Sequence, residues 1–146
     1  MEQNAFVVYQ SDDSNHAMGV SSSINGSTWE TPQEYAGIQL GSSPGFSAFN
    51  GKFYVSFRAN DSSYALYVTS SVDGKNWVTP AQAYNMALGS APSMAAFKGK
   101  LYIAYKFTNS HHSLCLTSSS DGLNWASPTE YSGIQISQRP AMAAFN

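Results

Sequence analysis

The chain has 146 residues, 42% hydrophobic and 14% aromatic, enough to build the core of one domain. Only 11% of residues are charged and the net charge is −2 without a basic run, which speaks against a phosphate-tracking surface and against nucleic acid as a partner. No apolar run approaches the roughly 20 residues of a membrane span, and Met1 to Gln10 carries neither the basic nor the apolar part of a secretory leader.

In chain order, Ala5 to Tyr9 reads as a first strand, followed by an Asn25-Gly26 turn and Trp29. Asn50-Gly51 is the next turn signal, and the aromatic and β-branched run Lys52 to Phe57 follows it. Ala65 to Thr69 alternates like a strand and ends at the Asp73-Gly74 turn. The last third repeats the series. Pro92 to Phe97 is an inner strand, Lys100 to Lys106 a second and Ser113 to Ser118 a third, while an outer strand is expected to start at Trp125 after Asp121-Gly122. No segment sustains a 3.6-residue apolar period, so no helix is expected.

Trp29, Trp77 and Trp125 recur at a spacing of 48 residues. So do Gly26, Gly74 and Gly122, the prolines at 32, 80 and 128 and at 44, 92 and 140, and the phenylalanines at 49, 97 and 145. Such a period, with short strands and turn residues, suits the blades of a β-propeller. The expected fold is therefore all-β, three four-stranded blades in one repeat domain. Blade 2 covers 41–88 and blade 3 covers 89–136. Blade 1 covers 2–40 plus an inner strand at 140–146, drawn from the same chain or a partner. Propellers usually close with four to eight blades. The expected assembly is a homodimer that makes a six-bladed ring by exchanging the terminal strand.

Ser71-Val72-Asp73-Gly74-Lys75-Asn76-Trp77 and Ser119-Ser120-Asp121-Gly122-Leu123-Asn124-Trp125 resemble the Asp-box of sialidase-like propellers, Ser/Thr-x-Asp-x-Gly-x-Thr-Trp. The resemblance covers all three repeats. It departs from the pattern by one residue fewer between Asp and Gly, and the first copy has Asn25 in place of Asp. The resemblance implies a structural box set away from any catalytic centre. An acceptor side chain, a glycine and a tryptophan suit a turn that bonds its own backbone and packs between sheets.

Sialidases hold their substrate's carboxylate with three arginines. This chain has two, Arg58 and Arg139, at different repeat positions. The acidic residues fall mostly at turns and blade edges. His16, His111 and His112 lack metal-ligand spacing, and no nucleophile or phosphate-loop motif occurs. The reading is a non-catalytic binding protein, with no metal and no cofactor expected. Near-identical repeats supply several equivalent shallow sites, as in lectins that gain avidity by multivalency. Glycan is the expected ligand; a protein-binding or engineered repeat scaffold and a glycoside hydrolase relative are the alternatives.

The candidate ligand face carries four repeat columns. His16, Tyr64 and His112 offer rings for stacking on a sugar. Gln10, Arg58 and Lys106 offer donors, and Asp12, Asn60 and Thr108, followed by Asp13, Asp61 and Asn109, offer polar partners. Gln39, Gln135 and Arg139 lie on the longer connections of the same face. Cys115 sits in a strand-like alternation and reads as a buried, inert thiol. One cysteine leans towards a reducing compartment, yet a mature secreted form would read the same, so the location is open.

Overall fold

The computed structural model describes residues 3–145; Glu2 and Asn146, at the ends assigned to the first blade, lie outside them. The described residues form eleven strands and no helix, hence none long and apolar enough to cross a membrane. β1 (Ala5–Gln10), β2 (Ala17–Ser23) and β3 (Gln33–Gln39) make a three-stranded antiparallel sheet. β4 (Gly45–Phe49), β5 (Lys52–Arg58), β6 (Ala65–Ser71) and β7 (Ala81–Ala87) make a second, of four strands in chain order. β8 (Ser93–Phe97), β9 (Lys100–Lys106), β10 (Ser113–Ser119) and β11 (Thr129–Gln135) make the third.

Local chemistry accounts for the meanders. Asn50-Gly51 and Lys98-Gly99 have φ of 47° and 72°, and 46° and 73°. Positive φ at both central residues is the tight hairpin turn whose twist matches that of the flanking strands. It fixes Phe49 opposite Lys52 and Phe97 opposite Lys100.

The outer strand begins later than the sequence suggests. β11 starts at Thr129, not Trp125, and β7 and β3 start one residue after Pro80 and Pro32. Proline has no N–H to give to a ladder. The stretch before it is held instead through Val78 and Ala126, whose N–H groups donate to Ser70 and Ser118 and whose carbonyls accept from the Thr69 and Thr117 hydroxyls.

Side chains alternating across the strands fill the spaces between sheets. Met18, Ile38, Leu40, Val55 and Phe57 pack between the first and second sheets. Tyr54, Leu66, Leu88, Leu101, Ile103, Tyr105 and Cys115 pack between the second and third. Each large side chain buried this way contributes ~1.5–3 kcal/mol. Burial, reinforced by the charge of Glu130, pushes the Cys115 thiol up to about 11, which keeps it protonated near neutral pH.

The first sheet lacks an inner strand. β1 pairs only with β2, and among the described residues nothing bonds its other edge. The inner strand expected at 140–146 does not form on that edge within the chain: residues 140–145 carry no strand. Neighbouring contacts hold the segment on the other two sheets. Arg139 Nη2 donates to the Pro44 carbonyl at 2.9 Å, and the Met142 N–H donates to Ser93 Oγ at 2.9 Å. A cavity of about 600 Å³ separates this segment from Phe6, Val7 and Val8 of β1. Phe145 is 94% exposed, whereas Phe49, at the same repeat position, is buried.

Candidate functional site

The loops β1–β2, β5–β6 and β9–β10 share one end of the sheets with the connections that leave β3, β7 and β11. Leu40, Leu88 and Ile136 on those connections donate their N–H to the carbonyls of His16, Tyr64 and His112. These three residues have φ of 53°, 52° and 52°, the left-handed region that non-glycine residues seldom enter. Their common repeat position thus serves the backbone turn. Asp13 Oδ1 closes the same turn by accepting from Asn15 and Ala17 N–H, and Asp61 Oδ1 does so from Ser63.

The donor column is engaged inside the chain. Gln10 Nε2 donates to the Leu40 carbonyl at 2.7 Å, Arg58 Nη2 to Gly41 at 3.0 Å and Lys106 Nζ to Ser137 at 3.2 Å. Arg58 also sits over the Tyr64 ring, with its guanidinium carbon 4.8 Å from the centroid. Arg139 is held on Pro44, as described above. Asp12, Asn60 and His112 are exposed, and Tyr64 is 46% exposed.

At the opposite end lie the box turns. Asp73 Oδ1 accepts from the Lys75 and Asn76 N–H groups at 2.8 Å each, and Asp121 Oδ1 from Leu123 and Asn124 at 2.8 Å each. Asn25 Oδ1 accepts from Ser27 and Thr28 at 2.9 Å each. Bonds from backbone N–H groups to the ionised form hold both carboxyls well below the usual aspartate range. The second and third boxes also pack on the sheet before them. A Cβ at Gly74 would lie 2.5 Å from the Phe6 ring and one at Gly122 2.3 Å from Tyr54, while one at Gly26 would meet nothing within 4 Å. Trp77 stands edge-on to Tyr35 across the same junction, ring centroids 6.4 Å apart.

Between the first two sheets an open groove runs from box to loop. A cavity of about 320 Å³ at its loop end is bordered by Gly37, Ile38 and Gln39 of β3 and, from the second sheet, by Asn60, Asp61 and Tyr67. A cavity of about 390 Å³ continues it past Trp77, with Gly37, Ile38, Thr79 and Pro80 common to both. Tyr67 is stacked on Phe57, centroids 6.0 Å apart and planes 22° from parallel. The Asp61 carboxyl, lowered by the Ser63 hydroxyl and backbone N–H, is an anionic acceptor at neutral pH.

The equivalent space between the second and third sheets is filled. Met86 stands where Ile38 stands and Cys115 where Tyr67 stands. The Tyr105 hydroxyl reaches the Met86 sulfur at 2.8 Å, and Tyr105 is buried. Burial raises the Tyr105 pKa, so the phenol stays protonated. The junctions, unlike the turns, are therefore not equivalent.

Comparison with protein-family models and with curated proteins found no match. Of the residues read from sequence as part of the ligand face, Gln39, Asn60 and Asp61 border the groove. His16, Tyr64, His112, Gln10, Arg58, Lys106, Asp12 and Arg139 do not. Ile38 and Tyr67 went unnoticed in the sequence, where they read as ordinary strand residues. The available signal was that Gly37-Ile38-Gln39 recurs as Gly133-Ile134-Gln135 but not at 85–87, where the chain reads Asn85-Met86-Ala87.

Proposed function

We propose that the protein is a non-catalytic carbohydrate-binding propeller, each sheet a blade and the ring completed by a second copy. The groove between the first two sheets supports the ligand class and carries the reading. An aromatic face at Tyr67 and Trp77 lies beside the amides of Gln39 and Asn60 and the carboxylate of Asp61. A sugar presents apolar C–H faces to aromatic rings and hydroxyls to such groups.

Resemblance to Asp-box repeats and the meander order of the sheets support the blade reading. Exposure at repeat-related positions supports closure by a second copy. Val7 is 44% exposed, whereas Val55 and Ile103 are at 0%. Ile134 is 48% exposed, whereas Ile38 is at 7%. The register of Gly45 with Ser56 and Ser93 with Ala104 carries over as Ala141 with Val8 of the other copy. Residues 141–145 would then leave their places on Ser93 and cover β1.

The test is saturation-transfer NMR with methyl glycosides of glucose, galactose, mannose, fucose, N-acetylglucosamine and sialic acid. At least one is expected to bind, and Tyr67→Ala is expected to weaken it by about tenfold, equivalent to ~1.4 kcal/mol. No binding by any of the six, or equal binding by Tyr67→Ala, would sink the carbohydrate reading. A single-chain mass by native mass spectrometry at micromolar concentration would sink the ring.

A further inference from the structure

Half of the groove is written twice in this chain, and the two spare halves lie on the third and first sheets. Gly133, Ile134 and Gln135 of β11 repeat Gly37, Ile38 and Gln39. Asp13, Thr31 and Pro32 of the first sheet repeat Asp61, Thr79 and Pro80 from the other wall. The filled junction keeps little of this: Asn85, Met86 and Ala87 face Asn109, Ser127 and Pro128 there. Identity is retained, then, where sheet three would face sheet one, and not where sheet two faces sheet three.

Within one chain both halves are open to solvent. All of β11 is exposed. Tyr131 and Trp29, the counterparts of the Tyr35–Trp77 pair, are 43% and 44% exposed. Gly26 has open space where Gly74 and Gly122 carry an aromatic ring of the preceding sheet. The ring that belongs there by repeat is Tyr102 of the third sheet, which no box turn of its own chain reaches.

We propose that a second carbohydrate groove assembles at the junction between two copies, from Gly133, Ile134 and Gln135 of one and Asp13, Thr31 and Pro32 of the other. It rests on the ring and carbohydrate readings above. A head-to-tail ring places Tyr131 edge-on to Trp29 of the second copy and Tyr102 over its Gly26. The two kinds of groove differ in one wall. Asn60 becomes Asp12, and Gly19 stands in the place of Tyr67. The junction groove is therefore the more acidic, and the Tyr9 ring lies over Gly19 where the Tyr67 side chain would stand. It favours a sugar that offers hydroxyl donors to paired carboxylates over one bearing its own carboxylate.

The experiment is a titration of the full chain with the same six methyl glycosides, followed by amide-resolved NMR, with native mass measured on the same samples. Two separate sets of shifts are expected, one around Gln39 and one around Gln135, in a two-chain species. Gln135→Ala should abolish the second set and leave the first and the mass unchanged; Gln39→Ala should do the reverse. Shifts confined to Gln39 in a two-chain species would overturn the junction site while the carbohydrate reading stands. A single-chain species that still binds at Gln39 would overturn it together with the ring. No shifts with any of the six would overturn both site and ligand class.

Discussion

The junction between the first and second sheets and that between the second and third share a repeat, yet at the loop end one is a groove and the other is filled. At the first, Gly37 and Ile38 leave the Tyr67 ring half-open. At the second, Met86 closes on the buried Tyr105, and the smaller Cys115 stands at the repeat position of Tyr67. Turn residues recur at every copy because each sheet needs the same turns. Junction residues are under no such common demand, so they are where repeats can diverge into scaffold and site.

Tyrosine truncation at the two junctions gives the largest contrast. Tyr105→Ala leaves a cavity in a packed core and strips Met86 of its partner, so a loss of ~3–5 kcal/mol is expected in urea unfolding. Tyr67→Ala removes a half-buried ring whose space already opens to solvent, and a loss of ~1 kcal/mol is expected, with glycoside binding weakened about tenfold. Equal losses at the two sites would mean that the groove is packed shut in solution and that the contrast between junctions is unreal.

The part of the fold legible in the sequence is the part fixed by neighbours in the chain. Asn50-Gly51 and Lys98-Gly99 announce tight hairpins because few other pairs hold positive φ twice. The outer strand is misplaced because Trp125 looks like a strand residue, while the decisive Pro128 removes a donor from the ladder ahead of Thr129. The site is less legible still. Gln10, Arg58 and Lys106 look like ligand donors by type, but carbonyls on remote connections engage each of them. The ring column His16, Tyr64 and His112 is a real column, made by a shared left-handed turn. The groove depends on what two sheets present to each other, and no local spacing encodes that.

Glycine substitutions in the three boxes sharpen the contrast between covered and open junctions. Gly26, Gly74 and Gly122 have φ of 74°, 74° and 75°, so alanine at any of them costs ~1–2 kcal/mol in strain. Gly74→Ala and Gly122→Ala also drive a methyl into Phe6 and Tyr54, which adds ~1–3 kcal/mol. Gly26→Ala meets nothing within its own chain. In a ring it would strike Tyr102 of the second copy, so its expected signature is loss of the two-chain species with the smallest loss of single-chain stability. Thermal melts and native masses of the three variants, measured side by side, decide this. A two-chain Gly26→Ala protein would show that its box is not an interface.

The smallest effect separates the boxes by their acceptor. Asp73 and Asp121 are held below their ordinary range by N–H donors, while Asn25 makes the same backbone bonds without a charge. A carboxyl whose folded pKa is depressed adds stability above the unfolded value, about 3.9, and loses it as pH falls towards the folded value. Asn25→Asp should therefore raise the melting temperature by a few degrees above about pH 5, with the gain vanishing in acid. Asp121→Asn should flatten the acid side of the stability profile and leave a turn still bonded as at Asn25. A gain from Asn25→Asp that persisted below pH 3 would mean the turn responds to side-chain shape rather than charge, and the depressed carboxyls would then be a consequence of the turn, not a support for it.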